Sequence, residues 1–414
     1  MVRRTRTPSI GDPILFALVI ALSIFGIGMV FSAGVLDVHA PFVRGAWRMQ
    51  LLWFGVSLLI IPIVMRIPMA WLEMGAKPIY FIALLMLALT PFIGTGAGTA
   101  EGVPRWLGFG PVRIQTAEVA KLAVIIMLAK ILGDWREPPK NIWGLWKPIA
   151  VVLPAMAFVM MQPDIGTTLV FAVILIAGLY WVGTPLPTLF LLVSPAIGLF
   201  FAFSAPLWAV WFLFLVLCVV IIRPKISESV SILVANVIAG TIAIPLWESL
   251  ADYQKNRILV FLDPAIDPRG AGYNLIQSRV AIGSGGVFGK GFTEGTQKRL
   301  AFLPEQHTDF IFSVVGEELG FVGVALVLLA FGWVFWRLIR IAQRSPDPFA
   351  SMIPFGLFAS WFVHVLVNTG MTVGVMPITG IPLPFVSYGG SFLLVNLVAM
   401  AIVLRVAAES RGGT

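Results

Sequence analysis

The chain has one cysteine, three histidines and little charge. Cys218 has no second cysteine to pair with, and it lies in the apolar run 212–222 as a small core or lipid-facing residue. Charged residues make up 12% of the sequence, against roughly 25% in an ordinary soluble domain. With 59% hydrophobic residues and a mean hydropathy of +0.96, a water-soluble globule around a single core is excluded. No zinc, haem or nucleotide motif is present, and nothing suggests nucleic-acid binding. The glycine-rich stretch 283–291 is not a Walker A loop: Ser284 stands where the first glycine belongs, and no Ser or Thr follows Lys290. No internal repeat is visible, which disfavours an inverted-repeat transporter.

What is present is apolar length. A bilayer needs about 20 mostly apolar residues per helix. Twelve stretches approach this: 13–33, 48–66, 77–94, 116–133, 148–162, 166–183, 186–204, 206–222, 230–248, 310–336, 352–374 and 386–406. The first follows Arg3, Arg4 and Arg6 and is too long for a signal-peptide core, so a spanning helix is expected there. The expected fold is an all-α polytopic membrane protein. It is a bundle of ten to twelve transmembrane helices, one membrane domain over 1–414, with a large extracytoplasmic loop at 249–309.

Basic residues set the orientation and account for much of the net charge of +8. With the N-terminus cytoplasmic, one set of short loops carries Arg66, Lys77, Arg136, Lys140, Lys147, Arg223, Lys225, Arg337, Arg340, Arg344, Arg405 and Arg411. The opposite short loops carry chiefly Arg44, Arg48, Arg105 and Arg113. The 249–309 segment, about 60 residues, interrupts the tight pattern and falls on the outside. Loops of that length are uncommon unless functional.

Several residues in and around this loop could carry chemistry. Lys255 and Arg257 open it, and Gly289-Lys290-Gly291 ends a glycine run that reads either as a phosphate cradle or as a flexible surface loop. His307-Thr308-Asp309 meets the apolar helix beginning near Phe310, where a carboxylate can cap the helix, accept a proton, or both. Glu317 and Glu318 lie about 12 Å further along that helix, and Glu118 and Lys121 share a face of another. Charges inside spanning segments face a polar cavity or a partner, so these four read as buried polar support or as structural ion pairs. Asp164, in Gln162-Pro163-Asp164-Ile165-Gly166, marks a tight break that fits turn chemistry, and it is grouped with these four as buried polar support. Arg105 and Trp106 sit in a short outside loop, where Trp is a common interfacial anchor and Arg suits a lipid phosphate. The stretch 377–391, which includes Ser387, holds too much Pro and Gly for a plain helix. Broken backbone at membrane depth must line a cavity or be buried in protein. His364 has no metal-ligand spacing and reads as a hydrogen-bonded helix residue; His39 reads as a loop residue.

Taken together, Arg105-Trp106-Leu107-Gly108, Glu118 with Lys121, residues 162–167, 270–278, 281–286, 303–312, 317–320 and 382–391 resemble the shape, elongation, division and sporulation (SEDS) family of membrane peptidoglycan polymerases. They run in family order along nearly the whole chain. Residues 271–274, 289–291 and 295–297 look more like the rod-shape elongation member than the division member. The chain reads Gln115-Thr116-Ala117-Glu118 where the family often has Gln-Pro-Ser-Glu, which keeps the glutamate. It also has room for three helices rather than one between 184 and 249, an inserted helix pair relative to the family's ten. The resemblance implies processive glycosyl transfer on lipid II at the outer face of the bacterial cytoplasmic membrane, with release of undecaprenyl pyrophosphate. It places the general base on Asp309; for contact with the substrate and its pyrophosphate the candidates inferred from the sequence are Arg105, Trp106, Lys255, Arg257, Lys290 and Ser387. No tightly bound cofactor is implied, a divalent cation is an option, and the implied partner is a class B penicillin-binding protein, a transpeptidase. The main rival reading is a lipid II flippase, with a non-catalytic scaffold as the third.

Overall fold

The computed structural model describes residues 10–37, 41–96, 104–110, 112–250, 252–263, 266–267, 271–303 and 305–412. Arg3, Arg4, Arg6, His39, Arg269, Gly270 and Pro304 lie outside the described residues. A helix stands at each of the twelve expected apolar stretches, because a chain in lipid must satisfy its backbone polar groups within itself. They are α1 (Pro13–Ala33), α2 (Pro41–Val64), α3 (Met69–Ile93), α4 (Thr116–Gly133), α5 (Trp146–Met160), α6 (Ile165–Trp181), α7 (Leu186–Phe201), α8 (Ala205–Ile222), α9 (Ile226–Ser249), α13 (Ile311–Arg344), α14 (Pro348–Val373) and α15 (Gly390–Gly412). The 249–309 segment, read as a loop, instead carries α10 (Asp252–Leu262), α11 (Ala271–Ser284) and the single turn α12 (Thr296–Arg299). Between α3 and α4 an antiparallel hairpin forms from β1 (Trp106–Phe109) and β2 (Val112–Gln115).

Helix starts follow their caps more than their apolar content. Asp12 accepts from Leu15 N at 2.9 Å ahead of Pro13, and Asp347 accepts from Phe349 N and Ala350 N ahead of Pro348. α2 and α3 begin seven and eight residues before the expected 48 and 77, and α13 runs on to Arg344 rather than 336. Hydropathy marks only the stretch in hydrocarbon, whereas a helix continues into the interface until a breaker stops it. Among the described residues nine helices are long and apolar enough to cross a membrane, while α6 and α7 are apolar but shorter. α4 carries Glu118, Lys121 and Lys130, which dilute its hydropathy.

The bundle has an axis. In α14 and α15, 78% and 72% of the apolar window is buried inside the protein, against 17% in α8, so the former are central and the latter faces lipid. α14 packs on α13, α4, α6 and α11, and α15 packs on α2. Helices α7, α8 and α9 fill 184–249 as a three-helix group, which α7 joins to α6. The group has a small apolar cluster of its own, Leu191, Leu215, Val219 and Ile232. Asn236 crosses it, accepting from Trp211 Nε1 at 3.2 Å and donating to Ser194 Oγ at 3.0 Å.

The glycine-rich stretch has a different use from either sequence reading. At Gly320 (φ 63°, ψ −163°) α13 breaks, and residues 285–291 lie against the break. Lys290 N and Gly291 N donate to the carbonyls of Glu317 and Glu318 at 3.0 Å, and Phe321 N and Val322 N donate to Gly286 O and Val287 O at 2.9 and 3.1 Å. A Cβ at Gly285 would stand 2.0 Å from Gly316 O, and one at Gly289 2.0 Å from Glu318 O. The glycines permit backbone-to-backbone packing that supplies the hydrogen bonds lost at the kink.

Two buried ion pairs, one of them with Ser32 added, fix α1 against α13. Arg337 pairs with Asp12 near one end. Near the other, Lys298 pairs with Glu318 at 2.6 Å, both side chains fully buried. Ser32 completes this triad: it donates to Glu318 Oε1 at 2.7 Å, and Lys298 Nζ reaches Ser32 O at 2.6 Å.

Two stability measurements follow. Gly320→Val places a β-branched side chain at positive φ against Gly289 N and is expected to cost about 1–3 kcal/mol. A thermal scan in detergent reads this as a lower midpoint, while Gly332→Ala, on an open stretch of the same helix, does not lower the midpoint; a Gly320→Val midpoint equal to that of the wild type would contradict the packing account. Lys298→Met strands Glu318 and is expected to cost about 3–5 kcal/mol. Combining it with Glu318→Leu should recover much of that loss, and a double variant no more stable than Lys298→Met would show that the pair is not the source.

Candidate active site

Asp309 sits in a tight turn, residues 305–310, that leads into α13. Thr308 N and Phe310 N both donate to Glu305 O, at 3.1 and 3.3 Å, and Thr308 Oγ1 donates to Glu305 Oε2 at 3.0 Å. The cap position of α13 belongs to Phe310 and has no side-chain hydrogen bond. The capping role considered for Asp309 is therefore not the one it plays, and its carboxylate is left for other work.

The turn is held by the broken segment between α14 and α15. Ser387 Oγ donates to Thr308 O at 2.7 Å and accepts from Leu383 N at 2.8 Å, and Tyr388 N donates to His307 O at 2.9 Å. Asn368, inside α14, donates to Asp309 O at 2.9 Å and Ile381 O at 2.8 Å, bridging turn and segment. Gln50 of α2 closes the far side through Ser387 O and Gly389 N. Gly380 (φ 73°) lies under the carboxylate: a Cβ there would stand 3.1 Å from Asp309 Oδ2. The segment is buried in protein through Ile378, Ile381, Leu383, Phe385 and Val386, as broken backbone at this depth requires.

The charges that surround Asp309 come from separate elements. Arg105, just ahead of β1, lies 3.9 Å from Asp164 and reaches Pro163 O at 3.4 Å. Asp164 also caps α6, accepting from Thr167 N at 2.9 Å. Burial pushes the Asp309 carboxyl up to about 6, and the negative charges of Glu305 and Asp164 add to the rise. Arg257 of α10 and Arg105 oppose it. His307 beside it is pushed down by burial, with Glu305 opposing. A carboxyl that titrates near 6 is mostly ionised at neutral pH, yet basic enough to accept a proton.

Arg105, Asp164, Arg257 and Asp309 thus form one electrostatic group, with Trp106 partly buried in the adjoining strand. The other named residues are placed elsewhere. Lys255 is two residues from Arg257, but its ammonium donates to Glu248 O at 3.1 Å on an exposed face. Lys290 pairs with Glu317 at 2.8 Å and donates to Thr296 Oγ1 at 2.7 Å. Glu317 further accepts from Gln297 N at 2.9 Å, and Glu318 is taken by Lys298. Glu118 pairs with Lys121 at 2.8 Å; Lys121 Nζ lies 2.7 Å from His364 Nε2, and His364 Nδ1 donates to Pro382 O at 2.9 Å. That chain runs from α4 through α14 to the segment under Asp309. Ser387 spends its hydroxyl on the turn backbone.

Ser32, Gln50, Lys298 and Asn368 were not singled out from the sequence. Gln50 and Asn368 are polar side chains in apolar runs, and that signal could have found them. Among the described residues no group of three or more His, Cys, Asp or Glu could hold a metal ion.

The family model for the cell cycle proteins FtsW, RodA and SpoVE matches residues 13–212 and 204–412. The peptidoglycan glycosyltransferase MrdB of Escherichia coli (strain K12) is 34% identical over 404 residues, covering 95% of this chain and 93% of that protein. Stage V sporulation protein E of Bacillus subtilis (strain 168) is 33% identical, covering 97% and 98%. The peptidoglycan glycosyltransferase RodA of Treponema pallidum (strain Nichols) is 31% identical, covering 98% and 99%. Among solved structures, a chain of a peptidoglycan synthase complex superposes with a TM-score of 0.69 at 27% identity, covering 96% of this chain and 98% of that one. The rod shape determining protein RodA of Thermus thermophilus gives 0.62 at 26% identity, covering 96% of each. With matches along nearly its whole length and a helix order that superposes on theirs, the chain belongs to the FtsW, RodA and SpoVE family of polytopic membrane proteins.

Proposed function

We propose that this chain is a peptidoglycan glycosyltransferase of the rod-shape elongation type, acting on lipid II at the outer face of the bacterial cytoplasmic membrane. The observation that carries the reading is Asp309, raised to about 6, with the charges of Arg257 and Arg105 opposing the rise. Asp309 takes the proton of the acceptor sugar hydroxyl as that oxygen attacks the anomeric carbon of the lipid-linked donor. The bond from that carbon to the pyrophosphate oxygen breaks with inversion, and undecaprenyl pyrophosphate leaves with the bonding electrons.

The developing negative charge needs fixed positive groups. Arg105 and Arg257 answer that need, since both act on the Asp309 carboxylate from different elements. Trp106 beside Arg105 offers an apolar face to the lipid-linked donor. Lys255, partly exposed on α10, serves the approach of the substrate, while Lys290 acts through its bond to Glu317 by positioning the segment after α11. Ser387 positions the turn rather than touching substrate. The charge pattern of the short loops puts the Asp309 end of α13 outside, and a class B penicillin-binding protein would cross-link the product.

The direct test is labelled lipid II incubated with the purified protein and a co-expressed class B transpeptidase. The wild type is expected to make glycan chains and Asp309→Asn none, with equal folding of the two; equal product would remove Asp309 as the base. Lipid II translocation in liposomes without polymer would favour the flippase instead.

The pH dependence gives a second test. The base must be ionised, so the rate should fall as pH drops through about 6. Glu305→Gln removes a negative neighbour and should move that limb to lower pH, whereas Arg257→Gln should move it higher; shifts in the opposite senses would reject the assignment. Stability has the reverse sign. A carboxyl raised from 3.8 to about 6 by folding costs nothing below its ordinary value and its full amount above about 6. Asp309→Asn should therefore melt no lower than wild type at pH 7.5, with the difference closing near pH 4.

A further inference from the structure

At the other end of the molecule, the first turn of α9, the middle of α7 and the short 3₁₀ turn Ile142–Leu145 surround a cavity of about 200 Å³. Its lining is apolar, with Ile142, Trp143, Leu191, Pro195 and Ile232, except for Ser231 and one carboxylate, Glu228. Glu228 is 4% exposed, and its Oε1 has no hydrogen-bond partner. No ion pair involving Glu228 occurs among the described residues, although every other acidic side chain buried to that degree is held by a cation or a hydroxyl. A buried acceptor left open calls for a donor from outside the chain.

The surroundings say which kind. Lys225, whose carbonyl accepts from Glu228 N at 2.9 Å, and Lys140, whose carbonyl accepts from Thr188 Oγ1 at 3.3 Å, are exposed beside the cavity. Trp143, Trp146, Ile226 and Val230 are exposed around it, the aromatic and apolar mixture of a membrane interface. A ligand that suits the site combines an N–H cation for Glu228, an anion for the two lysines, and apolar chains for the faces of α7 and α9.

We propose that this cavity binds a phospholipid with a primary-amine headgroup: its ammonium donates to Glu228, its phosphate meets Lys225 and Lys140, and its acyl chains lie along the α7–α9 group. A trimethylammonium headgroup has no N–H to give Oε1, and a headgroup with only negative charge meets the carboxylate unfavourably. The site is thus selective by hydrogen bonding, and independent of the polymerase chemistry at Asp309.

The test is native mass spectrometry of the detergent-purified full chain, titrated with phosphatidylethanolamine, phosphatidylcholine and phosphatidylglycerol of identical acyl chains. The wild type is expected to retain the ethanolamine lipid at least several-fold better than either other lipid. Glu228→Gln should lose that preference, and Ser231→Trp, which fills the cavity while leaving the carboxylate, should lose it too. Equal retention of the three lipids by the wild type would overturn the proposal, as would a preference that survives in either variant. Thermal scans without added lipid identify any variant that fails to fold, and the wild-type comparison decides alone in that case.

Discussion

Backbone that is neither helix nor closed sheet has no water to turn to at membrane depth, and the site is built from the one arrangement that satisfies it. The turn carrying Asp309 and the broken segment before α15 solve each other's problem. Asn368 gives one N–H to each, Ser387 links the Thr308 carbonyl to the Leu383 amide, and the amide of Tyr388 serves the carbonyl of His307. Asp309 is consequently fixed by its own main chain, with its carboxylate free of structural duty. An unstructured loop would hold such a group nowhere in particular, whereas this one is clamped between α14 and α15.

The same constraint recurs at the kink of α13. Breaking a helix at Gly320 exposes carbonyls, and the glycine-rich stretch repairs the break with its own amides. The ion pairs of Glu317 with Lys290 and Glu318 with Lys298 then tie the end of the 249–309 segment to the helix that follows Asp309. Buried pairs of this kind contribute little net stability against an apolar alternative, but breaking one is costly. They join the stretch after α11, and α12, to α13. The chain of Glu118, Lys121 and His364 performs a similar task from below, ending on Pro382 O in the clamp.

Much of this was legible in the sequence, for reasons that differ from residue to residue. Asp309, Glu118, Lys121, Glu317 and Glu318 stand out because charge is rare in apolar runs and must be answered there. The turn chemistry read at Asp164 is present, as a cap on α6, and the cap also carries the charge that meets Arg105. The four basic residues among the six pyrophosphate candidates looked alike as cations. Only their surroundings separate them: Lys290 pairs with Glu317 and Lys255 donates to a carbonyl, while Arg105, which also pairs with Asp164, and Arg257 act on the aspartate. The glycine run misled for a similar reason, since glycines that admit a phosphate and glycines that admit another backbone are the same letters.

The sequence by itself determined the twelve helices, their order and the rarity of charge among them, because a bilayer imposes a length and a polarity that single residues reveal. It also marked the aspartate at the mouth of α13. Only the tertiary structure decided which carboxylates were paired and which were left open, at Asp309 and at Glu228. Ionisation and pairing depend on groups brought together from positions hundreds of residues apart, such as Ser32 and Glu318 or Arg105 and Asp309. Proximity of that kind is a property of the packed chain, and no local spacing encodes it.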